Sequence, residues 1–111
     1  MKREKRLTHK SQYTTVYTHG KSWANELFVM KAFPNGLEIS RFGFSVSKRV
    51  GNAVVRNRVR RRLRECLRLT PHIPGWDVVF IARVPASKAD YHQIERAVDE
   101  LMGRAKLLER A

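Results

Sequence analysis

The sequence predicts a small α/β layered domain, and three observations carry that prediction. Apolar residues recur at helical spacing near both ends and in the middle of the chain. Alternating or continuous apolar runs of strand length lie between these segments. No repeat, low-complexity block or linker-like stretch divides the 111 residues, a length that suits one domain with a single modest core. Ten aromatics and an apolar fraction of 42% set the chain apart from a disordered tail, although 30% of its residues are charged.

Residues 1–7 read as a flexible basic arm to a single domain spanning 1–111. Thr8 can cap a first helix running to about His19, with Gly20 as its stop signal. Tyr13, Val16 and Tyr17 form its apolar side at i, i+3, i+4 spacing. Residues 22–34 read as extended, as two short strands, and a second extended run covers about 37–47. Pro34-Asn35-Gly36 between them is a turn, because proline fixes φ and Asn-Gly tolerates positive φ. Phe28, Met30 and Ala32 share one strand face, as do Phe42, Phe44 and Val46. The opposite faces carry Val29, Lys31 and Phe33, then Arg41, Gly43, Ser45 and Ser47, so one side of the sheet is core and the other is small, polar and basic.

A central helix spans roughly 52–69 and is stopped by Thr70-Pro71. Residues 77–83 form a continuous apolar strand after Pro74-Gly75. Asp90 and Gln93 resemble a capping box, opening a last helix whose stripe is Ile94, Ala97, Val98, Leu101, Met102, Ala105 and Leu108.

The formal net charge is +13. Residues 48–68 hold nine Lys/Arg against one acid, Glu65, and so supply +8 of it. Such concentration points to a polyanion, with nucleic acid ahead of an anionic membrane surface. The single cysteine, Cys66, forms no internal disulfide and fits as a small buried hydrophobe. No run approaches a membrane span and the N-terminus lacks the apolar stretch of a signal peptide, so a cytoplasmic location is expected.

The central helix has two sides. At about 100° per residue, Val55, Val59, Leu63 and Cys66 project along one stripe. Asn57, Arg60, Arg61, Arg64 and Arg68 point the other way, while Arg56 and Arg62 flank the stripe. Like charges at i, i+4 cost roughly 0.2–0.5 kcal/mol per pair. Arg56/Arg60, Arg58/Arg62, Arg60/Arg64 and Arg64/Arg68 are such pairs, and a surface kept basic at that cost favours phosphate oxygens, which guanidinium forks match. Ser47-Lys48-Arg49-Val50-Gly51-Asn52 leads into the helix N-terminus, where free N–H groups offer a further phosphate contact.

Ser45-Val46-Ser47-Lys48-Arg49-Val50-Gly51-Asn52-Ala53-Val54-Val55-Arg56-Asn57-Arg58, continuing through Arg60-Arg61 and Arg64-Glu65, resembles the signature of the bacterial ribonuclease P protein subunit. The likeness extends to Tyr13 through Gly20, to Ser22 through Asn25 and to Val78 through Arg83. It implies an α+β two-layer sandwich with a sheet of about four strands and three helices in the order αβββαβα, like domain 2 of ribosomal protein S5. It also implies a left-handed crossover through the arginine-rich helix, against the usual rule.

The resemblance further implies a protein that pairs with a large catalytic RNA to remove the 5′ leader of precursor tRNA. The chemistry then belongs to the RNA and to magnesium ions held mainly by it; no cofactor is expected on the protein itself, and neither a membrane nor an obligate protein partner. Carried onto this chain, Lys48, Arg49, Asn52, Arg56, Asn57, Arg58, Arg60, Arg61, Arg64 and Arg68 would face the RNA subunit. Tyr13, Tyr17, Val29, Lys31 and Ser45, with Arg56 and Arg60, would line a cleft for the single-stranded leader, where aromatic stacking accepts any base. Family members often carry phenylalanine in place of Tyr13 and Tyr17, some have an aromatic in place of Lys31, and lysines are common in place of Arg49 and Arg60. Lys31 is thus expected on a phosphate rather than under a base.

Other classes fit less well. The ten acids are dispersed, and His9, His19, His72 and His92 lack metal-ligand spacing, which argues against a protein-borne nuclease site. A DNA reader would need a dimer element or helix-turn-helix spacing. A ribosomal-type RNA-binding protein or RNA chaperone is the remaining alternative, and the central motif separates it from the ribonuclease P reading.

Overall fold

A computed structural model describes residue 2 and residues 5–109. Helix α1 spans Lys10–His19, and its start is held from inside: the Gln12 side-chain oxygen accepts from the Thr8 and His9 N–H groups at 2.9 and 3.0 Å. His9, not Thr8, is therefore the cap residue. Gly20 ends the helix for a steric reason rather than a conformational one. Its φ is −73°, and a Cβ there would lie 2.5 Å from the Val16 carbonyl oxygen and 3.0 Å from that of Ala32.

Strands β1 (Lys21–Ala24) and β2 (Phe28–Pro34) pair antiparallel, with Trp23 opposite Met30. Between them the Asn25 side-chain oxygen accepts from the N–H groups of Leu27 and Phe28. The Pro34-Asn35-Gly36 turn forms as expected, with Gly36 at φ +71° and the Leu37 N–H donating to the Asn35 side chain at 2.8 Å. It joins strands that are not neighbours. The sheet order is β1-β2-β4-β3, so β4 (Trp76–Ala82) lies between β2, to which it is antiparallel, and β3 (Arg41–Ser45), to which it is parallel. Val78, Val79 and Phe80 are all buried although they alternate faces, and a strand apolar on both sides is most stable in the middle.

Helices α2 (Ala53–Leu69) and α3 (Tyr91–Arg104) cover one face. Phe28, Met30, Phe42, Val78 and Phe80 from the sheet meet Val59, Leu63, Cys66 and Leu67 of α2 and Ile94, Val98, Leu101 and Met102 of α3. The expected α2 stripe holds at Val59, Leu63 and Cys66 and is widened by Leu67, which is 1% exposed, whereas Val55, at the start of the helix, is half-buried and outside the core cluster. Asn52 caps α2, and the Asp90–Gln93 capping box of α3 is reciprocal, at 2.8 and 2.9 Å. Lys106, at φ +59°, turns the chain out of α3, so Ala105 and Leu108 lie beyond the helix and Leu108 instead bridges to His72. A short 3-10 helix, Val84–Lys88, links β4 to α3.

Helix α1 crosses part of the opposite face, over a small cluster of Leu7, Val16 and Val79 with Tyr13, Phe33 and Ile81. The basic arm is not loose throughout. Arg6 makes a parallel bridge to Phe42, and Leu7, 6% exposed, donates its N–H to the Phe42 carbonyl at 2.9 Å. β3 is an edge strand, and its unpaired backbone gives these two residues a partner. Residues 1, 3 and 4 of the arm lie outside the described residues.

Candidate nucleic-acid interface

The basic surface is built on a helix that the core holds rigid. Val59, Leu63, Cys66 and Leu67 fix its rotation, and 17 residues at 1.5 Å each make it a rod about 26 Å long. The Asn52 side-chain oxygen accepts from the Val55 N–H at 3.0 Å, so this residue is engaged as a cap; the preceding Lys48 and Arg49 are exposed. Gly51 is required there because a Cβ would fall 2.8 Å from the Val55 side chain.

The arginines fall into three sets. Arg61 and Arg68, with Asn57, are exposed on the outward side, and Asn57, Arg61, Arg64 and Glu65 line a groove of about 400 Å³. Arg68 grips Glu65 through Nε at 3.2 Å and Nη2 at 2.6 Å, and these hydrogen bonds hold the Glu65 carboxyl below its usual range. The second set leans toward β3. Arg60 donates from Nη1 to the Asn57 side-chain oxygen at 3.1 Å and from Nη2 toward the Val46 carbonyl at 3.4 Å. Arg64 Nε reaches the Arg60 carbonyl at 3.4 Å, and Arg56, one turn before Arg60, has a buried Nε with no partner among the described residues. The third set leans the other way. Arg58 Nη2 donates to the Ser87 carbonyl and Arg62 Nη1 to that of Ala89, both at 2.8 Å. Arg58, grouped by sequence with the RNA-facing residues, is thus committed to its own chain at the end of the 3-10 helix, and its Nε is buried without a partner among the described residues.

The cleft lies across the sheet from α2. Strand register puts Val29, Ile81 and Ser45 in one row, and Lys31, Val79 and Gly43 in the next. Helix α1 sits on the second row. The Tyr13 ring rests on Gly43, where a Cβ would lie 2.6 Å from the phenol oxygen, and Val16 is fully buried with Val79. Burial pushes the Tyr13 phenol up, opposed by a hydrogen bond with the Phe44 backbone and by the charge of Arg60. Tyr17 is freer, at 39% exposure, with its ring 6.3 Å from that of Tyr13 and tilted 56° to it. Lys31 Nζ stands 5.9 Å from the centre of the Tyr17 ring. The first row remains as floor beside α1, and Ile81 is its middle residue. Sequence reading missed Ile81 because only pairing with both neighbours places it between Val29 and Ser45. Arg60, reaching the carbonyl of Val46 next to Ser45, connects this floor to the outward face of α2.

Among the described residues no three His, Cys, Asp or Glu side chains lie together so as to hold a metal ion. The Cys66 thiol is buried, and desolvation pushes it up to about 11, which leaves it protonated and unreactive at neutral pH. Also among the described residues, no helix is long and apolar enough to cross a membrane. Arginine forks, an exposed aromatic face and a basic groove bind polyanions.

Comparison with known proteins identifies the family. The family model described as Ribonuclease P matches residues 1–106. A ribonuclease P protein component of Dehalococcoides mccartyi is 50% identical over the whole chain and 92% of its own length. One from Roseiflexus castenholzii is 47% identical over 100% of this chain and 93% of that protein. Among solved structures, a Staphylococcus aureus RNase P protein superimposes with a TM-score of 0.88 at 34% identity, covering 95% of this chain and 98% of that one. The RNase P protein from Thermotoga maritima gives 0.80 at 31% identity, covering 89% and 96%. With the motif, the fold and the near-complete matches in agreement, the chain belongs to the ribonuclease P protein family.

Proposed function

We propose that this chain is the protein subunit of a bacterial ribonuclease P, binding the catalytic RNA subunit through α2 and the 5′ leader of precursor tRNA through the cleft beside α1. The holoenzyme is an endoribonuclease that frees the mature tRNA 5′ end, and the protein is its non-catalytic part. The family match favours this role over that of a general ribosomal-type RNA binder or chaperone. One observation supports the division of labour most directly: Arg60 joins two surfaces, donating to Asn57 on the outward side and toward Val46 at the margin of the cleft. A catalytic RNA on one side and a single strand on the other would be held a fixed distance apart by one rigid helix.

In this reading Lys48, Arg49, Arg61 and Arg64 contact phosphates of the RNA subunit, together with Asn57 and the free edge of Arg68. Tyr17 offers a face for a leader base, and Lys31, Arg56 and Arg60 neutralise its phosphates above a floor of Val29, Ile81 and Ser45. Magnesium ions held mainly by the RNA subunit would supply the Lewis-acid chemistry of phosphodiester hydrolysis. The chain's own residues position the substrate and screen repulsion between two polyanions, so the complex needs less magnesium. Both RNAs are cytoplasmic in a bacterium, and the complex is placed there.

The test is cleavage of precursor tRNA by a ribonuclease P RNA subunit at low magnesium, with and without the chain. The expected result is a marked gain in rate on addition of protein. No gain at any magnesium concentration would refute the reading.

A further inference from the structure

A second cleft lies on the α2 side of the sheet, at the far end of that helix, and it shares only Arg68 with the proposed RNA-subunit surface. It has a volume of about 260 Å³ and is lined by Lys2, Lys5, Phe42, Leu67, Arg68 and His72. Phe42 and Leu67 are core side chains, 2% and 1% exposed, so the floor is apolar and immobile. The His72 ring stands edge-on to Phe42, with centroids 4.9 Å apart at 85°. Its Nδ1 lies 2.9 Å from the Thr70 carbonyl and must donate there, while Nε2 has no partner among the described residues. Around this aromatic floor stand three cationic side chains and, among the described residues, no carboxylate, since Glu65 turns to Arg68 from outside the lining.

We infer that this cleft binds one unstacked nucleotide of the RNA subunit, its base against Phe42, Leu67 and His72 and its flanking phosphates on Lys2 and Lys5. The inference rests on the ribonuclease P reading. An apolar floor beside a ring with a free acceptor suits a heteroaromatic base, and a rim of cations suits the phosphates on either side. An uncharged or cationic ligand would leave the rim unpaired. Position selects the RNA subunit over the leader. Arg68 belongs to the outward face of α2, and Phe42 points to the α2 side of the sheet, whereas its neighbour Gly43 lies under Tyr13 on the leader side. A strand lying in the leader cleft would have to pass around the β3 edge, which Arg6 and Leu7 occupy.

The experiment compares the full chain with K2A/K5A and H72L, each assembled with the RNA subunit. Lys2 and Lys5 lie at the surface, and His72→Leu keeps an apolar contact with Phe42, so thermal melts within a few degrees of the parent are expected. Chemical footprints are taken separately on the RNA subunit and on bound precursor tRNA. Both variants are expected to lose protection at the same unpaired nucleotide of the RNA subunit and to bind it roughly tenfold more weakly. In K2A/K5A the slope of log affinity against log salt should fall by about 1 to 2. Preference for precursor over mature tRNA should stay within twofold of the parent. Unchanged footprints and affinity in K2A/K5A would overturn the inference, as would deprotection of the leader instead of the RNA subunit. Failure of the parent chain itself to bind the RNA subunit would overturn the functional reading as well, and is distinguished by that control.

Discussion

Two pairs of arginines on one helix should fail in opposite ways. Arg58 and Arg62 donate to the carbonyls of Ser87 and Ala89 at 2.8 Å, whereas Arg61 and Arg64 line the outward groove. Replacing the first pair by methionine keeps the packed stems and removes two charge-assisted hydrogen bonds. Such bonds contribute about 1.5–3 kcal/mol each when shielded. Both side chains are half-exposed, so about 1 kcal/mol each is the better figure, or about 2 for the pair. At roughly 4 °C per kcal/mol for a domain of this size, the melting temperature should fall by about 8 °C. The salt dependence of RNA-subunit binding should change little, because neither group is offered to phosphate. Replacing Arg61 and Arg64 by alanine should do the reverse. Every phosphate left without its cation lowers the slope of log affinity against log salt by about 0.9, so the pair should lower it by nearly 2. Stability should hold or rise slightly, since the repulsive Arg60/Arg64 and Arg64/Arg68 spacings disappear. Thermal melts and salt titrations of binding measure both quantities. A large slope change in R58M/R62M, with an unaltered slope in R61A/R64A, would refute the sorting of arginines into clamps and phosphate-binding groups.

Tyr17→Leu should weaken binding of precursor tRNA by about 1–3 kcal/mol while sparing mature tRNA, as expected when a stacking face is removed. Tyr13→Leu should mainly lower the melting temperature, because that ring is packed on Gly43; equal losses of precursor and mature tRNA binding from Tyr17→Leu would count against the cleft. Gly43→Ala should cost about 1–3 kcal/mol by overpacking against Tyr13 and weaken leader binding as α1 lifts. A double-mutant cycle with Tyr13→Ala should then show the two changes compensating, and strict additivity would contradict the packing of ring on glycine. Cys66 gives a pH signature. Its thiol ionises near 9.0 when unfolded and near 11 when folded, so the unfolded state loses its proton first as pH rises. The stability due to the buried thiol is therefore intact below pH 9 and lost progressively between about 9 and 11. Denaturant melts of Cys66→Ala should fall less steeply than those of the parent across that window, and parallel curves would disprove the assignment.

Local signals were the readable ones. Asn52 and Thr70-Pro71 bracket α2 because a side-chain acceptor and a proline act on their own few residues, and the Asp90–Gln93 box opens α3 for the same reason. Alternation separated core from polar sheet face without knowing which strands were partners. Strand order was not readable. Nothing within Pro34-Asn35-Gly36 says that a strand some forty residues on will enter between β2 and β3, and the turn serves either arrangement. Ile81 stayed hidden with it, as did the docking of Arg6 and Leu7. The arginines show the limit most clearly. Arg58 and Arg61 lie about 60° apart around α2 by helical geometry and look equivalent in a periodic pattern. What separates them is a carbonyl at Ser87, supplied by a 3-10 turn that the pattern did not predict.

The bridge from Arg6 and Leu7 to Phe42 has a bearing on handling the protein as well as on its architecture. An exposed border of main-chain donors and acceptors is a template on which another molecule can extend the sheet, and two residues from the far start of the chain interrupt that template. A preparation clipped by a protease after Leu7 would retain its helices, the core between the sheet and α2 and α3, and most of its charge, yet lose Leu7 from the cluster under α1 and expose a tacky seam along β3. Loss of solubility on storage would then report trimming at the start of the chain, not unfolding of the domain.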